Sequence, residues 1–131
     1  MNRQELDRQM EQVLGARLCL LDRIPDEFAA AEWSLMRQVQ FGETLIPHKY
    51  KELIALAVAA VTRCPYGIVL HSKLARVYGA SSAEVGEAVH WGRLASGWGV
   101  HLAGLQVDPD EFADEVCTVA SHLTAQLGAD T

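Results

Sequence analysis

Apolar residues recur at every third or fourth position along most of this chain, which is the spacing that places them on one face of an α-helix. The first example is residues 3–21, which carry the apolar residues Leu6, Met10, Val13, Leu14 and Leu18. No segment alternates apolar and polar residues convincingly, as a half-buried strand does. The pattern therefore predicts an all-α fold that begins with a helix over residues 3–21.

Residues that start or stop helices divide the rest of the chain into five further segments. Proline is favoured in the first turn of a helix, and the capping box Ser-x-x-Glu marks another kind of start. These signals predict starts at Pro25, Pro47, Pro65, Ser81 and Pro109, and stops near Gly42 and Gly79. A chain of 131 residues is long enough for one core and short for two. We therefore expect one domain over residues 1–131, a compact bundle of about six helices.

The segment after Pro47, HKYKELIALAVAAVTR, differs from the others because its apolar residues cover every face. A helix of this kind is buried within a protein or packed between subunits. The segment also contains Glu52, and a carboxylate in such a stretch needs a partner if it is buried. A histidine on the next, antiparallel helix would serve as that partner.

Charge and composition exclude several classes of protein. The net charge is −6, whereas a nucleic-acid-binding surface needs clustered Lys and Arg, so we expect no nucleic acid partner. The first twenty residues lack the apolar centre of a signal peptide, and no run of about eighteen apolar residues indicates a membrane span. Three cysteines far apart are typical of reduced thiols. These features predict a cytoplasmic protein that does not associate with a membrane.

The stretch RCPYGIVLHSK, residues 63–73, places a thiol at a predicted helix start. If Pro65 is the first helical residue, Cys64 is the N-cap, beside Arg63 and close to unpaired backbone N–H groups. Such surroundings stabilise a thiolate. His71 falls within about 20° of the same helix face but about 10 Å further along the axis, too far for a direct hydrogen bond.

The spacing of Glu52, Cys64 and His71 resembles a known signature. Eleven residues separate Glu52 from Cys64. Position 67 follows Cys64 after two residues, and His71 follows position 67 after three more. This is similar to E-x11-C-x-x-C-x3-H of the alkylhydroperoxidase D-like, carboxymuconolactone decarboxylase-like family. The later stretch AVHWGRLASGWGVHLAGLQVD also resembles the helix that follows the signature, so the resemblance covers residues 20–110.

The resemblance implies an all-helical fold, a homo-oligomer (trimer or hexamer) around the signature helices and a small-molecule substrate. In the complete signature the second cysteine is peroxidatic, and the first resolves it as a disulfide. The glutamate and the histidine form the proton relay. Residues Glu52, Cys64 and His71 occupy three of these positions.

The chain departs from the signature at position 67, where Gly67 replaces the peroxidatic cysteine. Tyr66 stands where some members have a further relay histidine. A disulfide within a CxxC motif is therefore impossible here. A single thiol, Cys64, remains close to the Glu52 and His71 pair.

Three functional interpretations stay open. In the first, which we favour, a peroxide oxidises Cys64 to a sulfenic acid and an external thiol reductant restores it, with Glu52 and His71 as the relay. In the second, the enzyme is independent of the thiol and resembles the decarboxylase branch, with Glu52 and His71 as general acid and base on a lactone or small organic acid. In the third, the protein is a non-catalytic oligomeric binding module.

Other residues have mainly structural interpretations. Trp91 and Trp98, seven residues apart, predict a packing stripe that in an oligomer would line a substrate pocket or subunit contact, and Tyr66 and Gly67 are further pocket candidates. Two cysteines lie in apolar-periodic stretches and are expected to be small buried side chains, namely Cys19 and Cys117.

The sequence predicts neither a metal nor a cofactor. His90 and His101 share a helix face but are three turns apart, so one metal ion could not bind both directly. The glycines close to them do not follow a strand, as a dinucleotide-binding fingerprint requires.

Overall fold

The computed structural model describes residues 1–129 and contains seven α-helices in that range. They are α1 (Arg3–Leu14), α2 (Cys19–Asp22), α3 (Asp26–Leu35), α4 (His48–Val61), α5 (Pro65–Val77), α6 (Ser82–Gly104) and α7 (Pro109–Ala129). No strand occurs within residues 1–129, so the predicted all-α fold is confirmed. Among these residues, no helix combines the length and the apolar character that crossing a membrane requires.

The prediction of one helix over residues 3–21 is wrong, because the chain turns at Gly15. Gly15 adopts the left-handed conformation with φ of 77°, and its N–H donates to the carbonyl of Glu11 at 2.9 Å. Glycine adopts this conformation without strain but weakens a helix interior, so it ends α1 here. Arg17 pairs with Asp7 and Asp22 on either side of the turn.

The other helix boundaries agree with the predicted signals. The second predicted helix extends beyond α3 as a π-helical segment, Met36–Gln40. The ammonium group of Lys51 donates to the carbonyls of Val39 and Gly42, which lie at the end of this segment. The capping box before α6 is present, since Ser81 and Glu84 exchange two hydrogen bonds of 3.0 Å.

The chain divides into two compact units, Met1–Val89 and His90–Thr131, with the boundary inside α6. In the first unit, α1, α2 and α3 enclose a core of buried apolar side chains, namely Leu6, Met10, Leu21, Ala29 and Trp33. The guanidinium group of Arg3 donates to the carbonyls of Leu21 and Ile24, which holds α1 against the turn before α3. A single domain over residues 1–131 stays a prediction.

Helices α4 and α5, also in the first unit, form a tight hairpin. Arg63 adopts the left-handed conformation with φ of 55°, and the N–H of Cys64 donates back to the carbonyl of Ala59 at 2.9 Å. This bond closes the C-terminus of α4 while Cys64 already caps α5. Helix α4 buries one face of the apolar segment and leaves a stripe of half-exposed apolar side chains on another, namely Tyr50, Ile54, Val58 and Val61.

Among residues 90–128 of the second unit, one residue is buried, Gly92. The large exposed apolar side chains of this unit include Trp91, Trp98, Val100, Leu105, Phe112, Val119 and Leu127. The expectation that Cys19 and Cys117 are buried is wrong for this chain, because both are exposed. The short α2 buries only Leu21, and α7 buries no described side chain, so apolar spacing did not lead to burial there.

Candidate active site

Cys64 lies at the N-cap of α5, as its position before Pro65 predicts. Its Sγ accepts a hydrogen bond from the backbone N–H of Gly67 at 3.4 Å. Proline at the first helical position has no N–H of its own and a backbone angle suited to a helix start. The half-buried thiol therefore lies at the positive end of the α5 dipole.

Glu52 and His71 form a buried pair across the hairpin. Oε2 of Glu52 lies 2.6 Å from Nδ1 of His71, and Glu52 is only 2% exposed. An ionised carboxylate only accepts hydrogen bonds, so we assign the hydrogen to Nδ1 of His71. Nε2 of His71 is then free to accept or to return a proton. The contact expected from the burial of Glu52 is thus present.

Position 67 lies against both the thiol and the imidazole. A Cβ built on Gly67 would lie 3.6 Å from Sγ of Cys64 and 3.7 Å from Cδ2 of His71. The same Cβ would lie 2.9 Å from the Cβ of Ala59, which is closer than real carbon contacts. Among residues 1–129 no hydrogen bond joins Cys64 to His71. A bound molecule would have to bridge them.

The remaining pocket candidates are exposed side chains. Tyr66 is on the first turn of α5 and is 84% exposed. Trp91 and Trp98 are exposed and belong to the second unit, where Trp98 lies edge-on to His101. A pocket role for Tyr66, Trp91 and Trp98 stays a prediction.

Sequence reasoning missed a pair of stacked rings that joins the start of α4 to the end of α5. His48 and Tyr78 stack with ring centroids 4.5 Å apart. Burial, and secondly the charge of Glu52, raise the pKa of Tyr78 above its ordinary value. The sequence contained a signal for both residues, because residues four or seven apart lie close to the same face of a helix. His48 precedes Glu52 by four residues, and Tyr78 follows His71 by seven.

Metal coordination has no obvious place in the described part of the chain. Among residues 1–129, no group of three or more His, Cys, Asp or Glu side chains is arranged to hold a metal ion.

This fold and site define an all-helical protein with a thiol and a Glu–His pair on one hairpin. The model of the carboxymuconolactone decarboxylase family matches residues 26–108, more than half of the chain. The chain belongs to the carboxymuconolactone decarboxylase family.

Two known proteins are similar to this chain. The crystal structure of the alkylhydroperoxidase AhpD core from Rhodospirillum rubrum is similar with a TM-score of 0.65, over 82% of each chain and at 20% identity, which shows a shared fold. An uncharacterized protein 4 in the cox locus of Paracoccus denitrificans is 39% identical over 66 residues. That segment is 50% of this chain and 55% of the relative, so the chain spans about half of the relative's length.

Proposed function

We propose that the protein is an alkylhydroperoxidase-like thiol peroxidase that uses the single cysteine Cys64. Membership of the carboxymuconolactone decarboxylase family and the AhpD-like fold support a general alkylhydroperoxidase-like or decarboxylase-like role. The observation that carries the peroxidase proposal is the N-cap thiol, which lies against position 67 together with the ring of His71.

The chemistry needs one peroxide and two equivalents of an external thiol. The thiolate of Cys64 attacks the peroxide, a sulfur–oxygen bond forms, the oxygen–oxygen bond breaks and an alcohol leaves. A first thiol converts the sulfenic acid into a mixed disulfide and releases water. A second thiol releases the external disulfide and restores Cys64. Because position 67 is glycine, the Cys-x-x-Cys disulfide route is closed, so the reductant is an external thiol.

His71 moves the protons in this scheme, and Glu52 orients it. Glu52 holds the Nδ1–H of His71, so Nε2 takes the proton of the thiol and returns a proton to the departing alkoxide. Since Cys64 and His71 make no direct hydrogen bond, the hydroperoxide itself bridges them. Tyr66 and Gly67 lie on the α5 turn beside Cys64, where they would meet the rest of the substrate.

We also propose that the protein acts as a homo-oligomer, a trimer or a hexamer. Four apolar side chains form a stripe on α4 and are each about half exposed in the single chain, namely Tyr50, Ile54, Val58 and Val61. Contiguous apolar surface of this kind is typical of an interface. A second copy of the chain packed on α4 would cover this stripe. Packing between subunits would then explain why the apolar residues of α4 occur on every face of the helix.

A thiol-independent, decarboxylase-like activity is the second candidate. The 2.6 Å contact between Glu52 and His71 does not involve Cys64, so the pair provides an acid and a base without the thiol. This activity would act on a lactone or small organic acid. It predicts that Cys64→Ser retains full turnover.

The deciding experiment is intact mass spectrometry after addition of stoichiometric organic hydroperoxide together with a sulfenic-acid trap. The peroxidase proposal predicts a rapid adduct that is absent from Cys64→Ser. No adduct within minutes would overturn it, and a lactone and organic-acid screen would then test the second candidate. A stable oligomer without adduct or turnover would indicate a non-catalytic binding module.

A further inference from the structure

Two apolar stripes run along the helices of the second unit, and both are exposed in the single chain. The α6 stripe consists of Trp91, Leu94, Trp98 and Leu105. The α7 stripe consists of Phe112, Val116, Val119, Leu123 and Leu127. The spacing of three, four or seven residues places each set on one face of its helix. The exposure is large, since Trp91 is 64% exposed and Trp98 is 71% exposed.

The single chain covers neither stripe. Gly92 is the one buried residue among residues 90–128, and α7 buries no side chain in that range. A Cβ added to Gly97 or Gly99 would meet no atom within 4 Å, so α6 has no packed neighbour at these positions. Most helix stability in proteins comes from the packing of an apolar face, so two long helices with uncovered stripes need a partner surface.

The turn between α6 and α7 is fixed by hydrogen bonds. The N–H of Val107 donates to the carbonyl of Leu102, and the N–H of Gln106 donates to that of Ala103, both at 3.1 Å. These bonds form a Schellman motif, in which Gln106 adopts the left-handed conformation with φ of 56°. The orientation of α7 is thus set by a defined turn rather than by a free linker, which favours a partner from outside the chain.

The two stripes are large enough for a stable interface. Together they expose on the order of 1,000 Å² of apolar side-chain surface per chain, and each partner of a standard interface contributes about 800 Å². Monomeric proteins rarely expose contiguous apolar patches of more than a few hundred Å². The area therefore matches a lasting contact between two copies of the chain.

Charge indicates which stripe of the second copy meets which. Residues 94–131 contain no Lys or Arg, and Glu111 and Glu115 border the α7 stripe. Two α7 helices packed on each other would therefore give these carboxylates no cation. Residues 88–107 contain no Asp or Glu and include Arg93. The α7 stripe thus fits the α6 stripe of a second copy better than a second α7.

We propose that the α7 stripe of one chain packs on the α6 stripe of a second copy, while its own α6 stripe receives the α7 of that copy. Two-fold symmetry makes the two contacts equivalent. The aliphatic side chains of α7 then fill the space between Trp91 and Trp98, as large and small side chains do in a packed interface. This contact goes beyond the proposed function, because it involves neither Cys64 nor the stripe on α4.

Photo-crosslinking of the full chain tests which helices meet. The photoreactive residue p-benzoylphenylalanine replaces Val119, in the middle of the α7 stripe. After irradiation we expect a covalent product of twice the chain mass under denaturing conditions, in which the α7 peptide is joined to the peptide that contains Trp98. A crosslink within one chain, a crosslink to the first unit, or no crosslink would overturn the proposal. The matched control carries the same residue at Ser121, about 200° around α7, and should give no such product.

Quenching of tryptophan fluorescence by acrylamide tests the same contact without a crosslinker. The chain has three tryptophans, of which Trp33 is buried in the single chain. We expect Val119→Glu to lower the mass of the assembly and to raise the quenching constant about two-fold, because Trp91 and Trp98 become exposed. Ser121→Glu is the matched control and should change neither quantity. Equal quenching in the unmodified chain and in Val119→Glu would contradict the proposal.

The variant Val58→Glu separates this contact from the one proposed on α4. It should lower the mass of the assembly and leave Trp91 and Trp98 protected from acrylamide. Exposure of both tryptophans in Val58→Glu would show that the α6 and α7 stripes do not hold two copies together by themselves. Neither measurement uses a peroxide, so failure of the trap experiment and failure of this contact are separate results.

Discussion

A Cβ on Gly67 would lie 2.9 Å from the Cβ of Ala59, so α4 and α5 approach more closely there than any larger residue at position 67 allows. Ala59 is buried, with 5% of its surface exposed. The absence of a second cysteine and the close approach of the two helices are therefore one structural feature. A larger residue at position 67 therefore needs a smaller residue at position 59 to be accommodated without moving the helices.

Gly67→Cys by itself should destabilise the fold by about 1–3 kcal/mol, because the new side chain forces α4 and α5 apart. Adding Ala59→Gly removes the opposing methyl group and should recover part of this loss. The double variant should then form a disulfide between Cys64 and the new thiol, since the Cβ at position 67 would lie 3.6 Å from Sγ of Cys64.

Denaturant unfolding at one fixed protein concentration measures these stabilities, with Ala59→Gly alone as the control. Intact mass with and without reductant detects the disulfide as a loss of two hydrogens. A Gly67→Cys variant as stable as the unmodified chain would contradict the packing argument.

His71→Ala should destabilise the protein by about 3–5 kcal/mol near neutral pH, because it leaves a buried carboxylate without a partner. Urea unfolding of the variant and the unmodified chain near neutral pH measures this difference.

The control for this prediction is the double variant Glu52→Met with His71→Ala, which has no buried charge. Its deficit should be smaller than that of His71→Ala. An equal or larger deficit would show that the unpaired carboxylate of Glu52 is not the source of the effect.

Glu84 should contribute a pH-dependent part of the stability of the first unit. The backbone N–H of Ser81, and then Lys49, lower the pKa of Glu84 below its ordinary value of 4.5. An acid whose pKa is lowered by folding stabilises the fold above its unfolded pKa, and the stabilisation is lost as the pH falls through the lowered value. The contribution should therefore be complete above about pH 5 and absent in strong acid.

Thermal unfolding followed by circular dichroism between about pH 6 and pH 3 measures this contribution. Glu84→Gln should lower the melting temperature near pH 6 and converge with the unmodified chain in strong acid. Glu87→Gln, at an exposed position of the same helix, is the matched control and should change little. A constant offset for Glu84→Gln at all pH values would argue against the assignment.

Val58→Glu should disrupt the proposed homo-oligomer, because it places a charge in the middle of the exposed apolar stripe on α4. Light scattering after size-exclusion chromatography should show an oligomer for the unmodified chain and a smaller species for the variant. Lys73→Glu, at an exposed polar position on α5, should keep the original mass. An unchanged mass for Val58→Glu would show that the stripe lies outside the interface.

Local chemistry explains why most of the fold could be read from the sequence. The prolines at the starts of α3, α4 and α5 and the capping box at α6 act within one or two helical turns, so each boundary is readable from nearby residues. Gly15 shows the limit of this approach, because periodicity continued through it while its left-handed backbone ended the helix. Cys19 and Cys117 show another limit, since apolar spacing does not say which neighbour covers a helix face.

The sequence by itself determined the all-α class, the N-cap position of Cys64 and the need of Glu52 for a partner. Only the tertiary structure decided that His71 is this partner, that position 67 has no room for a Cβ, and that His48 stacks on Tyr78. The reason is that these contacts join α4 to α5 and depend on how the two helices are aligned after the turn at Arg63. Helix periodicity defines the faces of each helix, but the packing of one helix on the other decides which residues meet.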